Sequence, residues 1–261
     1  MAVVVPDILA RIVDHKRTEL RNTTQKHRAE LERTAADRKD VRNFRTALTA
    51  SHPAIISEIK KASPSKGVLA EQFDPAAIAR LYAAGGASAL SVLTDREFFQ
   101  GSLADLKSAR AAAAVPVLRK DFTIHETHVI EAAAHGADAI LLIAALLDEW
   151  DLRRFRELAA QYHMDALVEV HDQPELDRAL ASGAEIVGVN NRNLHTFEVT
   201  LETSLRLAEN IPPGIVKVSE SGIDSSSKVK QLSSAGFHAF LVGEHLMKSQ
   251  DPAAAIRELR S

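Results

Sequence analysis

Short apolar runs alternate with longer amphipathic runs from residue 54 onward in this 261-residue chain. The short runs are continuously apolar, which is typical of strands that are buried on both faces of a parallel sheet. The longer runs repeat apolar residues every three or four positions, which is typical of helices. The predicted strands are Ala54–Lys60, Ala89–Leu93, Val117–Arg119, Ala139–Ile143, Ala166–Val170, Ile186–Val189, Ile215–Val218 and Ala239–Val242. The predicted helices are Pro75–Ala84, Ser102–Ala113, Glu126–His135, Asp148–Tyr162, Gln173–Ser182, Leu201–Glu209, Ser225–Ala235 and Pro252–Leu259.

This alternation predicts an α/β fold, a (β/α)8 TIM barrel, because eight strand–helix units fill roughly 200 residues. The alternative is an open, doubly wound sheet. Such a sheet usually carries G-x-G-x-x-G after its first strand, and the chain has no such motif.

The first 50 residues are charged and read as helical, and no predicted strand precedes Ala54. Pro6 and Asp7 suit a helix start, and a second helix is predicted over Val41–Leu48. We therefore expect residues 1–50 to form an N-terminal helical extension of a barrel over residues 51–261, the two making a single domain.

Polar residues follow the carboxyl ends of seven of the eight predicted strands, where barrels of this type hold their active sites. In chain order they are Glu58, Lys60 and Ser63; Thr94 and Asp95; Arg119, Lys120 and Asp121; Glu169 and His171; Asn190, Asn191, Arg192 and Asn193; Ser219, Glu220 and Ser221; and Glu244. The helix-to-strand turns at the opposite end are plain, so the asymmetry predicts an enzyme.

The loops after the seventh and eighth strands predict a phosphate site. Ser221 and Gly222 follow one strand, and Gly243 and Glu244 follow the other. Glycine lets backbone N–H groups approach an anion closely, and these two loops commonly bind phosphate in such barrels. An anionic side chain would repel phosphate, so we expect Glu244 to contribute only its backbone N–H.

The charged strand-end residues suit proton transfer, although their spacing does not assign the steps. Lys120 can act as a general acid if burial or a cationic neighbour, such as Arg119 or Lys60, lowers its pKa. Glu58 and Glu169 are candidate bases or anions that stabilise a cation. A Schiff base on Lys60 or Lys120 stays open.

Three apolar residues follow strands two, three and six: Phe99, Phe122 and Leu194. They suit either a wall for an aromatic ligand or a plug for the barrel.

Composition and sequence pattern limit the kinds of partner that the protein is expected to bind. A net charge of -3 gives no electrostatic footprint for nucleic acid, and the chain has no cysteine. No apolar run has the roughly 20 residues of a membrane span. His125 and His128 have no evident third ligand, so no metal is expected, and His171 reads as a rim residue. Because residues 2–5 do not resemble a signal peptide, we expect a cytoplasmic protein.

Seven motifs together resemble the indole-3-glycerol-phosphate synthase family, and the N-terminal helical extension does so too. They are Ser57-Glu58-Ile59-Lys60-Lys61-Ala62-Ser63-Pro64-Ser65, Ser91-Val92-Leu93-Thr94-Asp95 with Phe98-Phe99-Gln100-Gly101-Ser102, Leu118-Arg119-Lys120-Asp121-Phe122, Leu167-Val168-Glu169-Val170-His171, Gly188-Val189-Asn190-Asn191-Arg192-Asn193-Leu194, Val218-Ser219-Glu220-Ser221-Gly222-Ile223 and Phe240-Leu241-Val242-Gly243-Glu244.

The resemblance implies ring closure, decarboxylation and dehydration of 1-(2-carboxyphenylamino)-1-deoxyribulose 5-phosphate without a cofactor. It implies Lys120 as general acid and Glu169 as the stabilising anion, with Asn190 orienting substrate or Glu169. Lys60 and Glu58 are then candidates for the dehydration, with Glu169 as a rival base. The binding residues implied are Ser63 and Arg192 for the carboxylate, Phe99, Phe122 and Leu194 for the ring, Glu220 as a lining residue, and Ser221, Gly222, Gly243 and Glu244 for the phosphate.

Two other functions are open on the residues alone. A related barrel such as phosphoribosylanthranilate isomerase usually lacks the N-terminal extension. A non-catalytic phosphometabolite-binding barrel would have lost one of the charged strand-end residues. Whether the chain is a monomer or a weak homo-oligomer, and whether the loop 63–69 closes over substrate, are also open.

Overall fold

The computed structural model describes residues 7–64, 66–70 and 72–261. Pro6, the predicted helix start, and Ser65 of the first motif lie outside the described residues. In the described part of the chain, eight parallel strands close into a barrel with helices around it, which confirms the predicted fold class. The barrel strands, numbered first to eighth in chain order, are Ala54–Ile59, Ala89–Leu93, Val117–Lys120, Ala139–Ile143, Asp165–Val170, Ile186–Asn190, Val216–Glu220 and Ala239–Val242.

The helices begin with three in the N-terminal extension and continue through the eight strand–helix units. They are α1 (Asp7–Arg21), α2 (Gln25–Ala36), α3 (Phe44–Thr49), α4 (Pro75–Gly85), α5 (Arg96–Phe99), α6 (Leu103–Ala112), α7 (Glu126–Ala134), α8 (Glu149–Gln161), α9 (Gln173–Ala181), α10 (Glu202–Ala208), α11 (Ser226–Ser234), α12 (Glu244–Lys248) and α13 (Pro252–Leu259). Within the described ranges, no helix is both long enough and apolar enough to cross a membrane.

Each barrel strand pairs with the next along the chain, and the first pairs with the eighth to close the ring. In the register of these pairs, Ile56 lies opposite Ala89 and Ala54 opposite Ala239. The predicted strand bounds are correct to within two residues. The third and seventh strands extend further than predicted, and so include Lys120 and Glu220.

Strand periodicity separates an apolar barrel interior from a charged end. Residues two apart on a strand face the same side. Leu118, Leu167 and Val218 belong to the apolar cluster inside the barrel. Two positions further toward the carboxyl ends of the same three strands come Lys120, Glu169 and Glu220. The charged side chains therefore lie above an apolar floor.

The outer faces of the strands bury apolar residues against the surrounding helices in a second, larger cluster. N-terminal capping residues and prolines in the sequence fix where these helices begin. For example, the Asp74 carboxylate accepts hydrogen bonds from the N–H groups of Ala76 and Ala77, and Pro75 occupies the first turn of α4.

The extension packs against both ends of the barrel. Phe44 and Leu48 of α3 are fully buried with Ala54 and Ala89, which begin their strands, so α3 closes the amino end. The helix begins at Phe44 rather than at Val41 as predicted, because the Asn43 side chain caps it. The charged helix α2 was not predicted, since it buries only two residues. The boundary at residue 50 stays a prediction.

Candidate active site

All fifteen residues predicted for the site line one cavity of about 760 Å³ at the carboxyl ends of the strands. Cavities of this size commonly bind small molecules. The fifteen are Glu58, Lys60, Ser63, Phe99, Lys120, Phe122, Glu169, Asn190, Arg192, Leu194, Glu220, Ser221, Gly222, Gly243 and Glu244. The structure thus brings the predicted residues together, and their individual roles stay predictions.

Lys120 lies between two carboxylates on the floor of this cavity. Its Nζ donates to Oε2 of Glu169 at 2.9 Å and to Oε2 of Glu220 at 3.0 Å. Burial by itself lowers the pKa of Lys120, but attraction to Glu169, Glu220 and then Glu58 outweighs burial and raises the pKa well above its ordinary value. The side chain is therefore an ammonium in the free enzyme.

The sequence made the general-acid role of Lys120 conditional on a pKa lowered by burial or by a cationic neighbour, and the net shift in the structure is upward instead. Arg119, one of the two possible cationic neighbours, points to the opposite face of the third strand. There its guanidinium donates to Thr94 at 3.0 Å, Asp121 at 3.1 Å and Glu131 at 2.7 Å. Neighbouring residues on a strand alternate between faces, so the cavity presents carboxylates to Lys120 rather than a second cation.

Both carboxylate oxygens of Glu169 accept hydrogen bonds. Oε2 accepts from Lys120, and Oε1 accepts from Nδ2 of Asn190 at 3.2 Å. Burial raises the pKa of Glu169, but Lys120 and His171 outweigh this and hold the pKa well below its ordinary range. Asn190 is fixed in turn, since its Oδ1 accepts from Ser221 at 2.9 Å and from the Arg192 N–H at 3.0 Å.

His171 is an ion-pair partner of Glu169 and Glu175 rather than a rim residue or a base. Its Nε2 lies 3.4 Å from Oε1 of Glu169, and its Nδ1 lies 2.9 Å from Oε2 of Glu175. Burial lowers the pKa of His171, but these two carboxylates outweigh burial and raise it to about 10. A side chain that already holds its proton at neutral pH cannot accept another.

Lys60 Nζ donates a hydrogen bond to Oε1 of Glu58 at the end of the first strand. The carboxylate of Glu58 occupies the space in which a side chain at residue 243 would begin. Gly243 therefore has a second reason to be glycine beside the predicted phosphate contact, because any Cβ there would displace Glu58.

Glu220 depends on a glycine in the same way. A Cβ at Gly188 would collide with Oε1 of Glu220. Oε1 is buried and makes no hydrogen bond to any residue that the structure describes, while Oε2 accepts a hydrogen bond from Lys120. Burial raises the pKa of Glu220 to about 7, and Glu169 adds to the effect although Lys120 opposes it. Glu220 can therefore carry a proton near neutral pH, which the sequence did not indicate.

An apolar wall closes one side of the cavity. Phe99 ends α5, and its ring centroid lies 6.0 Å from that of Phe122, which follows the third strand. Leu194 lies beyond the sixth strand. The extension completes the wall with Ile8, Leu9 and Ile12 of α1, which sequence reasoning did not assign to the site. Their apolar spacing on a helix was visible, but which surface it would cover was not.

The predicted phosphate loop after the seventh strand has a backbone shape that favours glycine. Ser221 and Gly222 have φ of 69° and 80°, in the left-handed region that glycine adopts easily. A Cβ at Gly222 would meet Cγ1 of Val199 at 2.6 Å. Helix α12 begins at Glu244, whose carboxylate bonds to Lys248 at 2.6 Å. This bond is the main reason that the pKa of Glu244 is lowered.

Ser63 and Arg192 lie on the loops above the cavity. Ser63 belongs to a short antiparallel hairpin, in which Ala62–Ser63 pairs with Gly67–Val68. The guanidinium of Arg192 donates to the Phe197 carbonyl at 3.3 Å. Across the ranges that the structure covers, His, Asp and Glu side chains form no group of three or more that could hold a metal ion.

Comparison with known proteins agrees with the geometry of the cavity. The family model described as indole-3-glycerol phosphate synthase matches residues 9–259. The chain is 48% identical over 258 residues to the indole-3-glycerol phosphate synthase of Polaromonas naphthalenivorans, covering 97% of this chain and 98% of that protein. It is 49% identical over 262 residues to the protein of the same name from Paracidovorax citrulli, covering 97% and 98%.

Solved structures of other barrels share the fold at low identity. Thiamine phosphate pyrophosphorylase from Pyrococcus furiosus has a TM-score of 0.60 at 19% identity, covering 84% of this chain and 96% of its own. N-acetylmannosamine-6-phosphate 2-epimerase from Clostridium perfringens has a TM-score of 0.60 at 15% identity, covering 76% and 89%. These likenesses support the barrel alone. The match along almost the whole chain shows that this protein belongs to the indole-3-glycerol phosphate synthase family of carboxy-lyases.

Proposed function

We propose that the cavity converts 1-(2-carboxyphenylamino)-1-deoxyribulose 5-phosphate to indole-3-glycerol phosphate, carbon dioxide and water. The observation that carries this proposal is the Lys120 ammonium between Glu169 and Glu220, in the cavity that Phe99 and Phe122 also line. The reaction needs a proton donor, an anion for a developing cation and a surface for an aromatic ring. The cavity offers all three, and the related enzymes carry the name of this activity.

In the first step, the ring carbon that bears the carboxylate attacks the ketone carbon of the ribulose chain. A carbon–carbon bond forms, and the ketone oxygen takes a proton from the Lys120 ammonium. The nitrogen lone pair enters the ring system, so positive charge develops on nitrogen, where the Glu169 carboxylate stabilises it. As that charge forms, it competes with Lys120 for Glu169, and the pKa of Lys120 falls when its proton must leave.

The bond from the ring to the carboxylate then breaks, and carbon dioxide departs. The bonding electrons return to the ring and neutralise the nitrogen. Recovery of aromaticity drives this step, so the reaction needs neither a metal nor an organic cofactor.

In the last step, the new hydroxyl takes a proton and departs as water, while the CH₂ group beside nitrogen loses a proton. Lys60 and Glu58 suit these two transfers because their side chains are bonded to each other at the cavity mouth. Glu169 is the rival base.

The remaining residues bind and orient. We propose that Asn190 orients Glu169 and that Glu220 supports Lys120. Ser63 and Arg192 are assigned to binding of the substrate carboxylate. Binding of the aromatic ring is assigned to Phe99, Phe122 and Leu194. The phosphate is assigned to Ser221, Gly222, Gly243 and the backbone N–H of Glu244. We also propose that the extension and barrel form one domain that works in the cytoplasm as a monomer or weak homo-oligomer, without nucleic acid.

The decisive experiment mixes the purified enzyme with this substrate in a chelating buffer and follows indole fluorescence. We expect the fluorescent product and carbon dioxide in equal amounts. If no indole-3-glycerol phosphate forms while phosphoribosylanthranilate is isomerised, the cavity serves the related isomerase reaction and the proposal is wrong.

A further inference from the structure

Lys16 of α1 is a buried lysine that joins the N-terminal extension to two strand-end loops of the barrel. Its Nζ lies 2.9 Å from Oδ2 of Asp95 and 2.9 Å from Oδ1 of Asp121. The three residues are 4%, 0% and 4% exposed. Carboxylates buried to this extent need a compensating cation.

Asp95 connects Lys16 to the aromatic wall. It follows the second strand, and its Oδ1 accepts a hydrogen bond from the Phe98 N–H at 2.7 Å. This bond caps α5, the four-residue helix that ends with Phe99. The position of Asp95 therefore sets the position of the Phe99 ring.

Asp121 connects Lys16 to the proposed proton donor. It directly follows Lys120, and its Oδ1 also accepts from the Phe122 N–H at 2.8 Å. Oδ2 accepts from Thr94 at 2.5 Å and from Arg119 at 3.1 Å. The backbone from Lys120 to Phe122 is thus anchored through this one carboxylate.

Both carboxylates contact the same ammonium, so they lie close together in a water-poor region where like charges repel strongly. Asp121 keeps Arg119 as a second cation. Among the described residues, Asp95 is ion-paired only with Lys16. Without the Lys16 charge, we expect the loop that carries Phe99 to be forced apart from the end of the third strand, which carries Lys120 and leads into Phe122.

We infer that Lys16 is a positioning residue for the reaction proposed above: its ammonium holds Asp95 and Asp121 together and thereby sets the geometry of Lys120, Phe99 and Phe122. The inference rests on that proposed function for its kinetic consequence. Lys16 acts through the two aspartates, because its Nζ lies 2.9 Å from each of them. Its third carboxylate neighbour, Glu19 at 3.2 Å, belongs to α1 itself and is 41% exposed. The competing explanation is that Lys16 merely anchors α1, which Leu9 and Ile12 also hold by burial.

The test compares Lys16→Met with the double variant Lys16→Met/Asp95→Asn. Met keeps the side-chain length without the charge, and Asn retains the ability to cap α5. We expect Lys16→Met to lower kcat/KM by roughly 10- to 100-fold, the cost of displacing a reacting group by about 1 Å. Both kcat, through Lys120, and KM, through the aromatic wall, should change.

The double variant should recover at least about half of that loss on a logarithmic scale, because one of the two repelling charges has gone. Restoring the charge balance would not rescue a lost helix anchor. Arg17→Met is the matched control, because Arg17 lies on the same helix with its side chain 64% exposed. It should stay within about twofold of wild type, as surface changes usually do.

A Lys16→Met enzyme within about threefold of wild type, or a double variant as impaired as the single one, would overturn the inference. If Lys16→Met does not fold, a folded and active double variant supports it, and an unfolded one refutes it. Crystal structures separate this question from the reaction itself. The Phe99–Phe122 centroid distance of 6.0 Å should change in Lys16→Met whether or not the wild-type enzyme forms indole-3-glycerol phosphate, and an unchanged distance would count against the inference.

Discussion

Oε2 of Glu169 accepts a hydrogen bond from Lys120 at 2.9 Å, while Oε1 of the same carboxylate lies 3.4 Å from His171. The proposed acid and a half-buried imidazolium therefore share one anion. The ionised state of Glu169 is stabilised from both sides, and the ammonium state of Lys120 depends on it. Any positive charge that develops on a substrate beside Glu169 must weaken the attraction between the Glu169 carboxylate and the Lys120 ammonium.

Replacing Lys120 with Met removes the proposed proton donor and should lower kcat by roughly 10² to 10⁴-fold, the usual contribution of a general acid. Substrate affinity should change much less, because the ring and phosphate contacts remain. Steady-state indole fluorescence gives kcat, and calorimetric titration of the product gives affinity. Lys107→Met, on an exposed position of α6, is the control. Near-normal turnover in Lys120→Met would eliminate the general-acid role.

Glu58→Gln keeps the volume of the side chain beside Gly243 but removes its charge and basicity. We expect kcat to fall by roughly 100-fold, within the range for acid–base residues, and KM to change by less. Single-turnover measurements should locate the loss after carbon dioxide release, since Glu58 is assigned to the dehydration. If only affinity falls, Glu58 positions the substrate and does not transfer a proton.

Gly222→Ala should weaken phosphate binding. The added Cβ would collide with Val199, and φ of 80° strains any residue with a Cβ. We expect KM and the inhibition constant of inorganic phosphate to rise by roughly tenfold, equal to about 1.4 kcal/mol of binding free energy.

Gly214→Ala separates these two effects. Gly214 also has a left-handed φ, of 89°, but an added Cβ there meets no atom of the described residues within 4 Å. It should cost about 1 kcal/mol of stability from backbone strain alone and leave the phosphate inhibition constant unchanged. A Gly222→Ala enzyme that binds phosphate like Gly214→Ala would remove Gly222 from the phosphate site.

His171 makes the folding free energy depend on pH. Its pKa rises from an ordinary 6.5 to about 10 in the folded protein. The folded state therefore keeps a proton that the unfolded chain releases between these values. The stabilisation from His171 is fully present below about pH 6.5 and is lost as pH rises toward about 10.

Urea unfolding from pH 6 to 10 measures this effect. His171→Gln should be less stable than wild type at pH 6, and the difference should shrink as pH rises through the window. His27→Gln, at an exposed position of α2, should follow wild type throughout. A difference between His171→Gln and wild type that stays constant with pH would mean that His171 is uncharged in the folded protein.

The local pattern of apolar and polar residues was sufficient to predict most of the secondary structure of this protein. Continuous apolar runs and helical spacing determine the eight strand–helix units, because burial on one or two faces imposes the period of the element. The same period determines that Lys120 faces the barrel interior and Arg119 faces outward. Because the two residues are consecutive on a strand, the guanidinium of Arg119 cannot lie beside the ammonium of Lys120. This could be deduced from their positions in the sequence alone.

Tertiary structure decided what surrounds each charge. The direction of the Lys120 pKa shift depends on carboxylates 49 and 100 residues away, which only closure of the barrel brings within 3.0 Å. Lys16 stands among other charged residues of α1, and nothing in that pattern distinguishes it until α1 packs across Asp95 and Asp121. Sequence periodicity assigns a residue to a face, whereas electrostatic energy depends on distances between elements that are remote along the chain.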